Sequence, residues 1–176
     1  MTVRKPHLSA VLCCVGLGYF SSIVMAESGA GKLELSKADR VAVFKAAGAV
    51  QRKGKWIICA PPADSGAPES AGATIETVLD LNDDGRPEAL VTDSGTYCYG
   101  RDEAGFQLLS KQAKGSWRVI TGDNGIAEFL KTKGVGGWPD ISVGGPGFCF
   151  PVQRWNGKSY EVHRFEYQGK RCKPLR

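Results

Sequence analysis

From Thr74 onward the chain alternates between short apolar runs and turn residues, and this alternation limits its fold more than any other feature. Gly or Asn stands in nearly every gap, as in GDNG at 122–125 and WNGK at 155–158. Such runs, bounded by residues that favour tight turns, are typical of antiparallel strands. We therefore predict strands in TIETVLDL, PEALVT, TYCYG, FQLLS, SWRVIT, PDISVG, FCFPVQRW and SYEVHRFEY.

The segment before these strands contains one helical pattern, SKADRVAVFKAAG at 36–48. Ser36 is a suitable N-cap, and Asp39 at the third helical position can reach back to it. Gly48 is a suitable end. The apolar positions expected to share a buried face are Val41, Phe44 and Ala47. After the helix, KWIICA predicts one further short strand, followed by a loop rich in Pro, Gly and Ser at 61–73.

A weak internal repeat relates two parts of the strand region, about 78–125 and 130–170. GRPEALV aligns with GWPDISV, so that Glu88 meets Asp140. Two copies are too few for a closed propeller, which needs about four blades or more. We therefore predict a mainly β fold, either a small antiparallel sandwich or a blade-like pair of sheets, with one short N-terminal helix and disulfide bonds.

The first 26 residues are typical of a secretory signal. Arg4 and Lys5 precede an apolar run that ends at Val24-Met25-Ala26. Cleavage after Ala26 would take the chain from 176 to 150 residues and its net charge from +5 to +3, because two cations leave and no acid does. We expect a flexible lead-in at 27–35, a single domain at 36–176 and no retained membrane span. The scattered charge disfavours nucleic acid as a partner, so we expect a periplasmic or secreted protein.

Four cysteines remain after the signal: Cys59, Cys98, Cys149 and Cys172. An even number in an exported chain predicts two disulfides. The steps between them are 39, 51 and 23 residues, unlike the close pairs of a zinc site. Of the three possible pairings we favour Cys59–Cys98 with Cys149–Cys172, because the second pair bounds the last two strands.

The stretch VLDLNDDGRPEALV places oxygen-bearing side chains at alternate positions around a glycine. Calcium binds six to eight oxygens, and side chains at positions 1, 3 and 5 of a tight loop can converge on it. An EF-hand would also need Glu at position 12, where Val91 stands, and flanking helices where strands are predicted. The alternative is a polar turn that is held by its own side chains.

The loop resembles the D-x-[DN]-x-D-G-x-x-[DE] calcium hairpin of FG-GAP and VCBS-type repeats, over residues 80–91 only. The chain lacks the Phe-Gly of the FG-GAP signature and is too short for a full propeller of that type. The resemblance implies a structural Ca²⁺ site, with ligands from Asp80, Asn82, Asp84, the carbonyl of Arg86, and Glu88. The second copy has Thr132, Gly134 and Gly136 at the first three ligand positions, and it should not bind metal.

Catalytic candidates are few, and we assign no catalytic residue. Asp93-Ser94-Gly95-Thr96 resembles the signature of aspartic proteases, which need a second such aspartate that this chain lacks. His163 is the only histidine after the signal, and strand alternation predicts that it faces solvent. The aromatic-rich C-terminal third suggests instead a recognition surface, for which we select Trp138, Trp155, Arg154 and Arg164.

These features favour an exported, calcium-binding β protein, and they favour a non-enzymatic function over an enzymatic one. By analogy of build and compartment, it would be a periplasmic binding module of the inhibitor or immunity type, with a protein or a cell-wall component as partner. The alternative is a secreted hydrolase, either similar to aspartic proteases or acting on the cell wall.

Overall fold

A computed structural model describes residues 33–68 and 70–174. The predicted signal peptide and residues 27–32 of the predicted lead-in lie outside these residues. Residues 33–35 belong to the folded body, because Leu33 N–H donates to the carbonyl of Val78 at 3.0 Å and Leu35 packs against the core. No helix in the described ranges is both long and apolar enough to cross a membrane.

Helix α1 spans Lys37–Ala46 and begins as predicted at Ser36, whose hydroxyl accepts a hydrogen bond from Asp39 N–H at 3.0 Å. The predicted buried face was partly wrong. Val41 is 41% exposed, whereas Val43 is fully buried with Phe44. The helix is rotated toward Val43 because its packing partner is a sheet on that side.

A hairpin of β1 (Val50–Arg52) and β2 (Lys55–Ile57) follows the helix. Only its second strand is predicted from the sequence. Lys53 and Gly54 form the two-residue connection, and both have positive φ, at 47° and 80°. Positive φ at both central residues is typical of the tight turns whose twist suits a hairpin.

The first large sheet is an antiparallel meander in the order β3-β4-β5-β6. Its strands are β3 (Thr74–Leu79), β4 (Glu88–Ser94), β5 (Ala104–Lys111) and β6 (Trp117–Asn124). Each overlaps a predicted strand, and β4, β5 and β6 extend beyond the predicted segments. The predicted strand TYCYG was wrong, since Thr96–Tyr99 forms a short helix, α2, between β4 and β5. A single 3₁₀ turn at 100–102 completes that connection.

The second large sheet is antiparallel in the order β7-β8-β9-β10-β11. Its strands are β7 (Ile126–Lys133), β8 (Pro139–Gly144), β9 (Phe150–Trp155), β10 (Tyr160–Tyr167) and β11 (Lys170–Arg171). β7 and β11 were not predicted. β7 is an edge strand, and five of its eight residues are exposed. Its sequence therefore has little of the apolar pattern that marks a buried strand.

The core forms two layers, one on each face of the first sheet. Ala89 and Val91 of β4 face α1, whereas Leu90 between them faces the second sheet and packs with Ile141 and Val143. This alternation is what a strand buried on both faces requires. The predicted mainly β, antiparallel, disulfide-bonded architecture is confirmed.

Both predicted disulfides are confirmed. Cys59 is bonded to Cys98 with their Cα atoms 6.1 Å apart, and Cys149 is bonded to Cys172 at 5.7 Å. The first joins the segment after β2 to α2, and the second joins the start of β9 to the segment after β11. Disulfides of this kind indicate an oxidising, non-cytoplasmic compartment.

The two large sheets repeat one four-strand meander, with β3, β4, β5 and β6 corresponding to β7, β8, β9 and β10. In the sequence, a shift of 52 residues aligns Gly85 with Gly137 and Glu88 with Asp140. Both glycines have φ of +81°, in the region that glycine adopts at little cost. The turn before the second strand of each meander therefore has the same local backbone requirement.

Candidate functional site

The acidic loop, residues 80–88, connects β3 to β4 and is organised around Asp80. One carboxylate oxygen of Asp80 accepts a hydrogen bond from Asp84 N–H at 3.0 Å, and the other accepts from Gly85 N–H at 2.8 Å. The side-chain oxygen of Asn82 accepts from the same Asp84 N–H at 3.3 Å. The oxygens of Asp80 and Asn82 thus lie against one amide, on the inner side of the turn.

Asp84 completes this inner side and carries two competing partners. Asn82 Nδ2 donates to its Oδ2 at 3.0 Å, and Arg86 Nη2 donates to the same oxygen in a close ion pair. Arg86 Nε is buried and has no hydrogen-bond partner among the described residues. Arg86 therefore supplies part of the positive charge that balances the loop.

Asp83 differs from its neighbours because its side chain points away from the loop. It is 80% exposed and forms a 3.4 Å ion pair with Lys133, at the end of β7. A Cβ atom added at Gly137 would lie 3.2 Å from the carbonyl of Asn82. The acidic loop and the corresponding loop of the second sheet, 134–138, are therefore neighbours at the same end of the molecule.

Glu88 stands at the end of the acidic loop and is only 1% exposed. Its carboxylate accepts hydrogen bonds from Leu81 N–H and Ser110 Oγ, each at 2.9 Å. Burial raises its pKa to about 7, and the negative charges of Asp84 and Asp80 add to this rise. No cationic side chain among the described residues is paired with it. Glu88 is therefore a buried acid held by neutral donors.

The acidic loop has the donor chemistry for a hard cation. Asp80, Asn82 and Asp84 present side-chain oxygens on one side of the turn, and carboxylate, amide and carbonyl oxygens are the ligands that calcium takes. In residues 33–68 and 70–174, no group of three or more His, Cys, Asp or Glu side chains is arranged as a metal cluster. The loop's hydrogen bonds also fit the alternative of a self-supported polar turn.

Asp140 occupies the position in the second sheet that Glu88 has in the first, with opposite electrostatics. It is fully buried and accepts hydrogen bonds from Arg154 Nε and Nη2, each at 2.8 Å, and from Arg164 Nη1 at 2.6 Å. Thr132 Oγ1 donates at 2.6 Å. Burial alone would raise the pKa of Asp140, but these hydrogen bonds outweigh it and hold the pKa well below its usual range.

The four residues predicted for partner recognition lie in this part of the fold, but in structural positions. Trp138 and Trp155 are each 8% exposed and pack together in the core with their ring centroids 5.5 Å apart. Arg154 and Arg164 bind Asp140, and Arg164 also donates to Glu166 at 2.5 Å. The exposed indoles that a recognition surface requires are not found at these two tryptophans, because both rings fill the space between the sheets.

Asp93, from the protease-like motif, is a buried acceptor. It is 3% exposed and accepts from Cys59 N–H at 3.3 Å, from Ser94 N–H at 2.9 Å and from the hydroxyl of Ser70. Burial, with the charge of Asp93, raises the pKa of nearby Tyr99 to about 12. In this arrangement Asp93 ties the loop before β3 to the end of β4.

His163 is exposed, in agreement with its predicted position. A β-bulge between Val162 and Arg164 interrupts the alternation on which that prediction rested. Val162, the preceding residue on the strand, is itself 55% exposed. The histidine therefore lies on an open surface.

Sequence reasoning missed the partners of the two buried acids. Ser110 faces Glu88 directly in the β4–β5 register. The β8–β9 register pairs Ile141 with Gln153, the residues next to Asp140 and Arg154. The available signal was a charged residue inside an apolar strand, Arg154 in FPVQRW and Asp140 in PDISVG. Such a residue calls for a partner, but only the strand register identifies it.

Comparison of the chain with protein-family models, with curated proteins and with solved structures found no significant match.

Proposed function

We propose that this protein is an exported, non-enzymatic β protein that binds one structural Ca²⁺ in the acidic loop and acts as a periplasmic binding module of the inhibitor or immunity type. The observation that carries the metal proposal is that hydrogen bonds within one turn link Asp80, Asn82 and Asp84, whose side chains bear oxygen donors. In this proposal their side-chain oxygens, the carbonyl of Arg86, and Glu88 hold the ion.

Electrostatics supports a bound cation in this loop. Asp80 and Asp84 lie close enough to Glu88 for their charges to raise its pKa, so the three acids repel one another when all are ionised. A divalent cation would remove that repulsion and favour the ionised form of each ligand. The ion supplies charge neutralisation and rigidity, and the chain's own hydrogen bonds supply the shape of the turn.

The test is a calcium titration of thermal stability on the mature, disulfide-bonded protein. A ligand at about 100 times its dissociation constant stabilises the native state by about 2.7 kcal/mol. For a domain of this size that corresponds to a rise in Tm of about 5–10 °C. We expect Asp80→Ala combined with Asp84→Ala to abolish the rise, and EDTA to reverse it in the unmodified protein.

Asp83→Ala is the matched control because Asp83 lies in the same loop but points outward to Lys133. It removes one negative charge without removing a proposed ligand, and it should keep the full calcium response. If millimolar Ca²⁺ leaves the Tm of the unmodified protein unchanged, the metal proposal is wrong. If Asp83→Ala loses the response as fully as the double variant, the ion is bound by diffuse charge and not by the loop.

A further inference from the structure

A basic groove lies on the side of the first sheet opposite the second sheet, between α1 and the β1–β2 hairpin. Its cations are Lys37 and Arg40 of α1 and Lys55 of β2, and its aromatic residues are Phe44 and Trp56. The groove is open, with a volume of about 540 Å³. Lys55 also lines a neighbouring cavity of about 290 Å³ with Arg52 and the Pro61–Pro62 segment, so positive charge continues past the tip of the hairpin.

The segment that forms one side of the groove is rich in positive charge. Residues 40–63 contain five cations and no acid, and Asp39 and Asp64 flank them. Within the described ranges, no acidic side chain forms an ion pair with Lys37, Arg40 or Lys55. Asp39, the nearest acid on α1, is committed elsewhere, because it accepts from Lys111 at 2.8 Å and from Trp117 Nε1 at 3.1 Å. Lys37, Arg40 and Lys55 therefore bring positive charge to the groove that no acid of the described residues neutralises in an ion pair.

The positions of these cations do not serve the stability of the fold. Lys37 and Arg40 lie in the first turn of α1, where the helix dipole disfavours positive charge. Arg52 and Lys55 face each other directly across the hairpin, where like charges are destabilising. Four cations in locally unfavourable positions along two adjoining depressions indicate that they meet negative charge from outside the chain.

The groove also offers an aromatic wall. Phe44 and Trp56 stack with their ring centroids 5.1 Å apart and their planes at 12°. Phe44 is buried, but Trp56 is only partly buried and lines the groove beside Lys55. A tryptophan combines a flat apolar surface with an indole N–H donor, which suits a ligand that has both apolar faces and polar edges.

We propose that the basic groove binds an anionic polysaccharide, one whose sugar rings lie against Trp56 while their carboxylate or phosphate groups meet Lys37, Arg40 and Lys55. A concave, partly aromatic groove continued by a second cation-lined cavity matches an extended chain of charged sugars better than the broad, flatter surface of an acidic protein. This inference names the class of partner left open above, so it rests on the proposal that the protein is a binding module. Calcium has no part in it.

The experiment measures binding of the mature protein to carboxymethyl-dextran, with uncharged dextran as the matched polymer and poly-L-glutamate as the acidic-peptide comparison. The test variant combines Lys37→Ala, Arg40→Ala and Lys55→Ala, all at exposed positions. The control combines Lys114→Ala, Lys131→Ala and Lys158→Ala, which are exposed and outside the groove. Both variants lose three positive charges, and the Tm of each is measured to establish that it is folded.

We expect salt-sensitive binding to carboxymethyl-dextran, weakened about tenfold or more in the test variant and nearly unchanged in the control. An equal loss in both variants would overturn the proposal, since it would show attraction by net charge alone. Equal or tighter binding to poly-L-glutamate would replace the polysaccharide with an acidic protein. No binding to either polymer would also overturn it.

The calcium response is measured in parallel on the same samples. If calcium raises the Tm but neither polymer binds, the inference about the groove fails and the metal proposal stands. If the polysaccharide binds but calcium leaves the Tm unchanged, the metal proposal fails and the inference about the groove stands.

Discussion

Glu88 and Asp140 occupy the same position in two copies of one meander, yet they are stabilised in opposite ways. Both are essentially inaccessible to solvent. Glu88 meets only neutral donors and two nearby acids, and its pKa rises to about 7. Asp140 meets two arginines and a threonine, and its pKa falls well below the usual range. The aligned positions therefore hold one acid whose neutral form is favoured by its surroundings and one whose ionised form is favoured.

The difference follows from what covers each sheet. The side of β4 that carries Leu90 is covered by the second sheet, and Glu88 belongs to that side. The corresponding side of β8 carries Ser142 and Asp140, and no further sheet covers it among the described residues. Arg154 covers part of this side, because it binds the buried carboxylate of Asp140 while 34% of its side chain is exposed.

Removing Asp140 should have the largest effect. Asp140→Ala leaves Arg154 and Arg164 without their shared acceptor, and Arg164 has only 9% of its side chain exposed. Breaking a buried ion pair on one side costs about 3–5 kcal/mol. We expect a loss of unfolding free energy of that size in urea denaturation of the mature protein.

Glu166→Ala is the matched control for Asp140→Ala, because it removes an acid that binds Arg164 but leaves the arginine paired with Asp140. It should cost much less, about 1 kcal/mol. Comparable losses in the two variants would show that Asp140 is not the centre of the network.

Without bound metal, Glu88 should make the protein less stable as the pH rises. The folded-state pKa of about 7 lies above the ordinary value of 4.5, so the native state binds the proton more tightly than the unfolded chain. The stabilisation is therefore fully present below about pH 4.5 and is lost as the pH rises through about 7. We expect the unfolding free energy in EDTA to fall by roughly 1–3 kcal/mol between pH 5 and pH 8 from this group.

Glu88→Gln isolates this contribution, because glutamine keeps an acceptor for Leu81 N–H and cannot ionise. The charged and titratable groups that act on Glu88 are Asp80, Asp84 and Tyr160, and all three remain in the variant. The variant should lose the decline between pH 5 and pH 8. A decline as steep as that of the unmodified protein would assign the effect to other groups.

The smallest effect tests the two turns themselves. Gly85 and Gly137 have the same positive φ, so alanine at either should cost about 1 kcal/mol. Gly137→Ala should cost more, since its Cβ would lie 3.2 Å from the carbonyl of Asn82, whereas nothing lies within 4 Å at Gly85. Gly144→Ala, without positive φ, is the control in chemical denaturation. Equal losses of unfolding free energy in the two alanine variants would mean that the loop containing Asn82 moves away from the added Cβ at little cost.

Much of the fold could be predicted because its signals are local. Alternating apolar residues bounded by Gly and Asn report strand geometry within a few residues, and Ser36 with Asp39 reports a helix start. The even cysteine count predicted two disulfides, and the position of Cys149 and Cys172 around the last two predicted strands favoured the observed pairing among three. The oxygen-bearing side chains of the acidic loop were also predictable, because they all belong to one turn.

The failures lie where distant residues decide the local structure. Thr96–Tyr99 has a strand-like composition, but Cys98 is bonded to Cys59, and Tyr99 packs so closely on Gly105 that a Cβ there would clash. Val43 replaces Val41 on the buried face because the sheet, and not the helix, sets the direction of packing. Trp138 and Trp155 are core residues because two sheets close over them.

By itself, then, the sequence determined most of the strands, the capped helix and the oxygen donors of the acidic loop, because each depends on neighbours along the chain. Only the tertiary structure decided that Glu88 would have neutral partners and Asp140 two arginines, and that the cations of the basic groove would gather beside Trp56. Charge acts through space at short range, so its effect depends on which strands and helices the fold brings together.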